Sequence, residues 1–233
     1  MEAEAAQPRP RTSHTRLICW TIFVGLIAAI NYAARFSGRG TSGRSTHDAV
    51  YSYSTFVGGT VLYAVWLGVV LLIVIDRFDL LALRAPRGNW GRALGLAAGV
   101  IVAIFVLEGL VSLLPLPESP GKEQGLTPTG WEPSHAGAFA ANLVLFAVIA
   151  PFVEELTFRG AGQSLLRFLG RVPSILLVGI AFGLAHGLVE ALIVLVPFGA
   201  ALAWLRDRTD SVLPGMLVHG LFNGAALAVA VLG

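Results

Sequence analysis

Seven apolar runs account for most of the chain, at 17–34, 51–75, 92–114, 136–158, 173–188, 189–205 and 212–232. An α-helix needs roughly 17–25 mostly apolar residues to cross the hydrocarbon core of a bilayer. The pattern therefore predicts an all-α fold, a polytopic bundle of about seven transmembrane helices. Charge is correspondingly scarce: 13% of the 233 residues are charged, where a soluble domain carries about 25%. The fifth and sixth runs are the hardest to part, with little that is polar between them except Gly187 and Glu190. No internal repeat and no soluble domain interrupts the series. The longest loop, PLPESPGKEQGLTPTGWEPSH, is rich in proline and glycine and reads as irregular.

Residues 1–16 are polar and read as a disordered cytoplasmic tail. Residues 17–135 then read as three membrane helices with a long external loop. The run at 17–34 is expected to be a membrane anchor and not a cleaved leader, because no clear small-x-small cleavage site follows it. Basic residues in short loops mark the cytoplasmic side. With the N-terminus inside, twelve of them, from Arg9 to Arg208, fall on that side, against Arg35, Arg39, Arg44 and Lys122 outside. The expected setting is a multi-pass protein of the cell membrane with its N-terminus cytoplasmic and the lipid bilayer around it. A net charge of +2, carried by short inter-helix loops, gives no reason to expect nucleic acid as a partner. Cys19 is the single cysteine, which excludes an intramolecular disulfide framework.

Against this background the ionisable and amide residues inside the apolar runs stand out: Glu108, Glu154, Glu155, Arg159, His186, His219 and Asn223, with Asn31 and Asn142 as weaker cases. Placing a charge at mid-membrane costs ~2.5–3.5 kcal/mol or more, so such residues point to function by default. Each also has a plainer reading. Glu154 and Glu155 could simply mark a helix end, His186 could be a hydrogen-bonded core residue, and His219 with Asn223 could join two helices. Glu155 and Arg159 are four apart and face each other on a helix, while Glu154 is rotated by roughly 100° from Glu155. Pro151 should kink this helix and free the carbonyl of Ala147.

Spacing gathers these residues. Gly170, Arg171 and Pro173 read as the end of one helix and the start of the next. Glu154 lies 17 residues before Arg171 and His186 lies 15 after it. At ~1.5 Å per residue both stand roughly 22–26 Å from an antiparallel turn, so the two can meet. This requires the fourth helix to continue through GAGQSLLRFL. His219 and Asn223, 8 and 12 residues beyond Ser211, should sit shallower, roughly 12–18 Å along the last span.

In order, the chain presents E-E-x-x-x-R at Glu154, Glu155 and Arg159, F-x-x-x-H at Phe182 and His186, and H-x-x-x-N at His219 and Asn223. These motifs resemble the CAAX-protease and bacteriocin-processing family of intramembrane metalloproteases, also called the CPBP or Abi family, over about residues 136–232. The resemblance makes residues 136–233 a protease core with an intramembrane cavity. It implies an endopeptidase that cleaves a membrane-associated protein or peptide. Glu154 with His186 would activate water, His219 and Asn223 would bind the oxyanion, and Glu155 with Arg159 would shape the site. Peptide hydrolysis needs such a base and such donors. Two histidines and a glutamate could also hold Zn2+ with a water in the fourth position, although the double-histidine helix motif of familiar zinc proteases is absent. Zinc and metal-free water activation both stand at this point. Two other readings keep the same residues: a membrane scaffold or bacteriocin self-immunity protein without turnover, and a small ion- or proton-coupled transporter. Glu108, outside every motif, reads either as a second functional carboxylate or as a protonated helix–helix donor.

Overall fold

The computed structural model describes residues 12–37 and 46–232, and among these it is all helix and turn, with no strand. Seven helices build the bundle. They are α1 Thr12–Phe36, α2 Tyr53–Ile73, α3 Trp90–Val111, α4 Pro133–Leu169, α5 Arg171–Ala185, α6 Leu192–Thr209 and α7 Leu213–Leu232. Helices α1 to α4 and α7 are long and apolar enough to cross a membrane, and α5 is a shorter apolar helix. Their outward faces are those of a lipid-facing bundle. Ile18, Ile22, Leu26 and Ile30 form one exposed stripe on α1, the reverse of a soluble helix, which turns its apolar stripe inward.

Helix α1 begins at Thr12, inside the segment read as a tail; residues 1–11, with Arg9 and Arg11, lie outside the described residues, as do Arg39 and Arg44. Basic residues from distant parts of the chain share one end of the bundle. Arg16 donates to Ile75 O at 2.6 Å, Arg84 pairs with Asp210 at 2.7 Å and Arg171 with Asp207 at 2.5 Å. At the other end Arg35 pairs with Glu123 at 2.7 Å.

Helix α4 continues to Leu169 and turns at Gly170, whose φ of 97° suits a residue without a side chain. It is not a uniform α-helix. Two stretches, Leu145–Ile149 and Leu156–Gly162, have π geometry, a wider turn that recurs at functional sites. Pro151 explains the first. Ala150 N–H donates five residues back to Leu145 O, and in that register the next acceptor, Phe146 O, faces a proline nitrogen with no hydrogen. The carbonyl freed by Pro151 is thus Phe146 O, one residue before the Ala147 carbonyl expected for an unbroken α-helix.

The boundary between the fifth and sixth runs also moves. Helix α5 ends at Ala185 and α6 begins at Leu192, so His186 lies on a turn and not within a span. The two helices pack closely because Gly179 faces α6, where a Cβ would come within 2.7 Å of Ala200 N; small residues allow this approach between membrane helices.

The apparent mismatch in depth of the last span is resolved by the turn after α2. Val212 N–H donates to Ala82 O at 3.1 Å, and a Cβ on Gly160 would meet Leu81 O at 2.7 Å. The start of α7 is therefore level with Gly160 and not with Gly170. From that level, six residues lead back to Glu154 and seven lead on to His219, so neither tilt nor kink is needed. The long loop after α3 contains a short helix, Pro120–Glu123, and folds back into the protein, burying Glu123 completely.

Candidate active site

The six residues to which the resemblance gives site roles converge. Glu155 and Arg159, both fully buried, pair at 2.7 Å along α4. The guanidinium also donates to Gly199 O at 3.1 Å and lies 4.2 Å from the centre of the Phe182 ring. An isolated charge here would cost several kcal/mol; the carboxylate, a backbone carbonyl and an aromatic face together offset it.

Helix α7 brings His219 against this pair. Its Nδ1 stands 3.1 Å from Glu155 Oε1 and its Nε2 3.8 Å from Glu154 Oε2. An ionised carboxylate only accepts, so Nδ1 carries a proton, and Nε2 is turned toward a second carboxylate, Glu154. One turn on, the Asn223 amide donates to Phe146 O at 2.9 Å, the carbonyl that Pro151 leaves without a partner. That bond uses one amide hydrogen and fixes the group at the cavity wall.

His186 approaches from the end of α5. Its Nδ1 lies 2.8 Å from Phe182 O, and since a carbonyl is only an acceptor, Nδ1–H donates and Nε2 is left with a free lone pair. Phe182 is the common wall. It is fully buried, and its ring meets His186 at 4.7 Å and His219 at 5.6 Å between centres, both edge to face.

Glu154 lies where two cavities meet. One, of about 400 Å³, is lined by Asn31, Arg35, Tyr63, Trp66, Glu154 and His186 among others. The other, of about 230 Å³, runs past Glu154, Phe182, His186, Phe198, His219 and Asn223. No direct bond joins Glu154 to His186; they share the walls of both cavities.

Several groups of this site were not among the candidates. Tyr63 on α2 donates its hydroxyl to Glu154 Oε1 at 2.7 Å and stacks on Trp66, whose indole donates to Thr157 Oγ1 at 2.8 Å. Gln124, in the loop after α3, lines both cavities. A tyrosine in an apolar run and a glutamine in a polar loop carry no signal of their own. Of the weaker cases, Asn31 donates to Ala185 O at 2.6 Å, beside His186. Asn142 donates to Val50 O and Ser52 O and holds the approach to α2. Glu108 is half-buried and lines neither cavity. Among the described residues nothing bonds its carboxyl.

Among the described residues, no three His, Cys, Asp or Glu side chains gather into a set that would hold a metal ion. Each histidine has already committed Nδ1, one to Glu155 and one to Phe182 O. In each ring that leaves Nε2 as the nitrogen able to meet a proton, a substrate or a metal ion.

Buried ionic and imidazole groups around a cavity inside an apolar helical bundle fit several kinds of intramembrane chemistry. Comparison with known families narrows this: residues 136–225 match the family model described as Type II CAAX prenyl endopeptidase Rce1-like. The match covers α4, α5, α6 and most of α7, with all six candidate residues, and it agrees with the family resemblance carried by the motifs. No curated protein and no solved structure matches the chain.

Proposed function

We propose that the protein is an intramembrane endopeptidase of the CAAX type, hydrolysing a peptide bond of a membrane-associated protein or peptide. The observation that carries this reading is the position of Glu154, at the junction of two cavities and flanked by two histidines held in defined orientations. In the proposed reaction a water molecule sits between Glu154 and His186 Nε2. Glu154 takes one of its protons as the oxygen attacks the scissile carbonyl carbon. The negative charge that develops on the carbonyl oxygen is met by the second amide hydrogen of Asn223 and by His219 carrying a proton on Nε2. The proton held by Glu154 then passes to the leaving nitrogen as the C–N bond breaks. Glu155 and Arg159 keep His219 turned toward the reaction. No step is routed through a metal.

The family description supplies the first substrate to try: a farnesylated, internally quenched CAAX peptide presented in detergent or vesicles. General acid–base groups typically contribute about 10²–10⁴-fold, so Glu154→Gln should lower turnover by about that much while the protein stays folded. Near wild-type turnover by purified Glu154→Gln protein sinks the assignment of Glu154, whereas a wild-type protein that cleaves no peptide would leave the scaffold reading. A strong chelator should have little effect; silencing by chelator and recovery with zinc would replace the metal-free scheme.

A further inference from the structure

His186 stands on a turn, and what holds that turn comes from outside the matched segment. Between Ala185 and Ala191 the backbone is fixed by two separate parts of the chain. Asn31 donates to Ala185 O at 2.6 Å and Tyr32 donates to Leu188 O at 2.8 Å, both from α1. The second part is Glu123, in the loop after α3. Its carboxylate accepts Val189 N–H at 2.8 Å and Ala191 N–H at 2.6 Å, and it pairs with Arg35 at 2.7 Å. Gly187 has a φ of +66° and faces Asn31 so closely that a Cβ would come within 2.5 Å of the Asn31 Cβ. The turn therefore has one way to lie.

We propose that Glu123 is a positioning residue for His186, its buried carboxylate tying the loop after α3 to the turn that carries the imidazole. This rests on the reading of His186 as the partner of Glu154 in water activation. The chemistry requires a carboxylate. Three donors converge on two oxygens, whereas an amide offers one acceptor oxygen and would turn its own N–H groups against a donor. Helix α6 opens at Ala191 with no side-chain cap of its own, and Glu123 supplies the negative group that a helix N-terminus favours. Because Gln124, the next residue, lines both cavities, the same tie sets the cover of the cavity and the aim of the imidazole together.

The test uses the whole protein in detergent with two variants. Glu123→Gln keeps size and removes the charge. The double change Arg35→Met with Glu123→Leu replaces the ion pair by apolar groups, an exchange that proteins tolerate well, and still deprives Val189 and Ala191 of their acceptor. In both, kcat on the farnesylated peptide should fall at least about tenfold, since small misplacements of a reacting group are costly, with KM within about twofold. The ¹⁵N ring signals of His186, assigned by their loss in His186→Gln, should change from a ring protonated at Nδ1 to an average of both tautomers. Wild-type kcat with unchanged ring signals in a folded variant overturns the proposal. So does a loss that follows only the folded fraction, with the ring signals unaltered in the molecules that remain folded. If the wild-type protein leaves the peptide intact, the protease reading fails and the ring signals alone decide the role of Glu123.

Discussion

The two halves of the bundle treat polar groups differently. In α1 and α2 only 11% of the most apolar stretch is buried, against 33% in α4 and 39% in α7. The front helices are peripheral and lipid-facing. The back helices enclose Glu154, Glu155, Arg159 and His219, which bond or pair with one another and with the backbone. Yet the front half is not inert, since Tyr63, Trp66 and Asn31 each reach the rear site with one hydrogen bond and Glu123 with two. In the proposed reaction the back half holds the reacting groups, and the front half holds the groups that fix where they point. Variants in the two halves should therefore fail in different ways.

The largest effect is expected from Glu155→Ala, which leaves the fully buried Arg159 without its carboxylate and His219 without its partner. Breaking a buried pair typically costs ~3–5 kcal/mol. The variant should lose folded yield and unfold at markedly lower denaturant or temperature, and Glu155→Ala with Arg159→Ala should recover part of that loss. A double variant no better folded than the single one would show that the pair is not what stabilises the back half. Asn223→Ala comes next. Losing one oxyanion donor typically costs ~2.7–4 kcal/mol in the barrier, so turnover should fall about a hundredfold or more with the fold retained. Substrate binding measured with an uncleavable peptide should change little.

The six polar residues of the motifs were legible because charged, imidazole and amide groups are conspicuous in an apolar run and because spacing alone pairs Glu155 with Arg159. The continuation of α4 to Leu169 followed from counting to the turn at Gly170. The register of α4 was not legible. Pro151 announces a missing hydrogen bond, but only the π geometry of Leu145–Ile149 decides that Phe146 O is the carbonyl set free. The level of α7 depended on a contact between Val212 and Ala82, far apart in sequence. Glu123 was hidden for a different reason. In a polar loop a glutamate is ordinary, and nothing local shows that the loop returns to the bundle.

Tyr63→Phe is the sharpest probe of the division of labour, with an intermediate effect. It removes one hydroxyl that donates to Glu154 Oε1 at 2.7 Å and keeps the ring stacked on Trp66. A hydrogen bond to a charged group contributes about 1.5–3 kcal/mol, so turnover should drop about tenfold to a hundredfold without a change in folded yield. An unchanged rate would mean that α2 only walls the cavity. A rate as low as that of Glu154→Gln would move Tyr63 into the reacting set and blur the line between the halves.

The smallest effect belongs to Glu108→Gln. Glu108 is the one carboxylate within the apolar run of α3, and it lies outside both cavities with no bond to its carboxyl among the described residues. An intramembrane carboxylate is usually a sign of function, so its isolation makes it a control on the comparison. Gln has the same size and removes the charge. If the site is confined to the groups around Glu154, Glu108→Gln should keep turnover on the peptide within about twofold. It should also leave stability unchanged or slightly raised, since an unpaired ionisable group out of water is a cost to the folded state. A well-folded Glu108→Gln protein that loses activity would mean that α3 reaches the reaction through a route the present geometry does not contain, and the front half would then hold chemistry as well as placement.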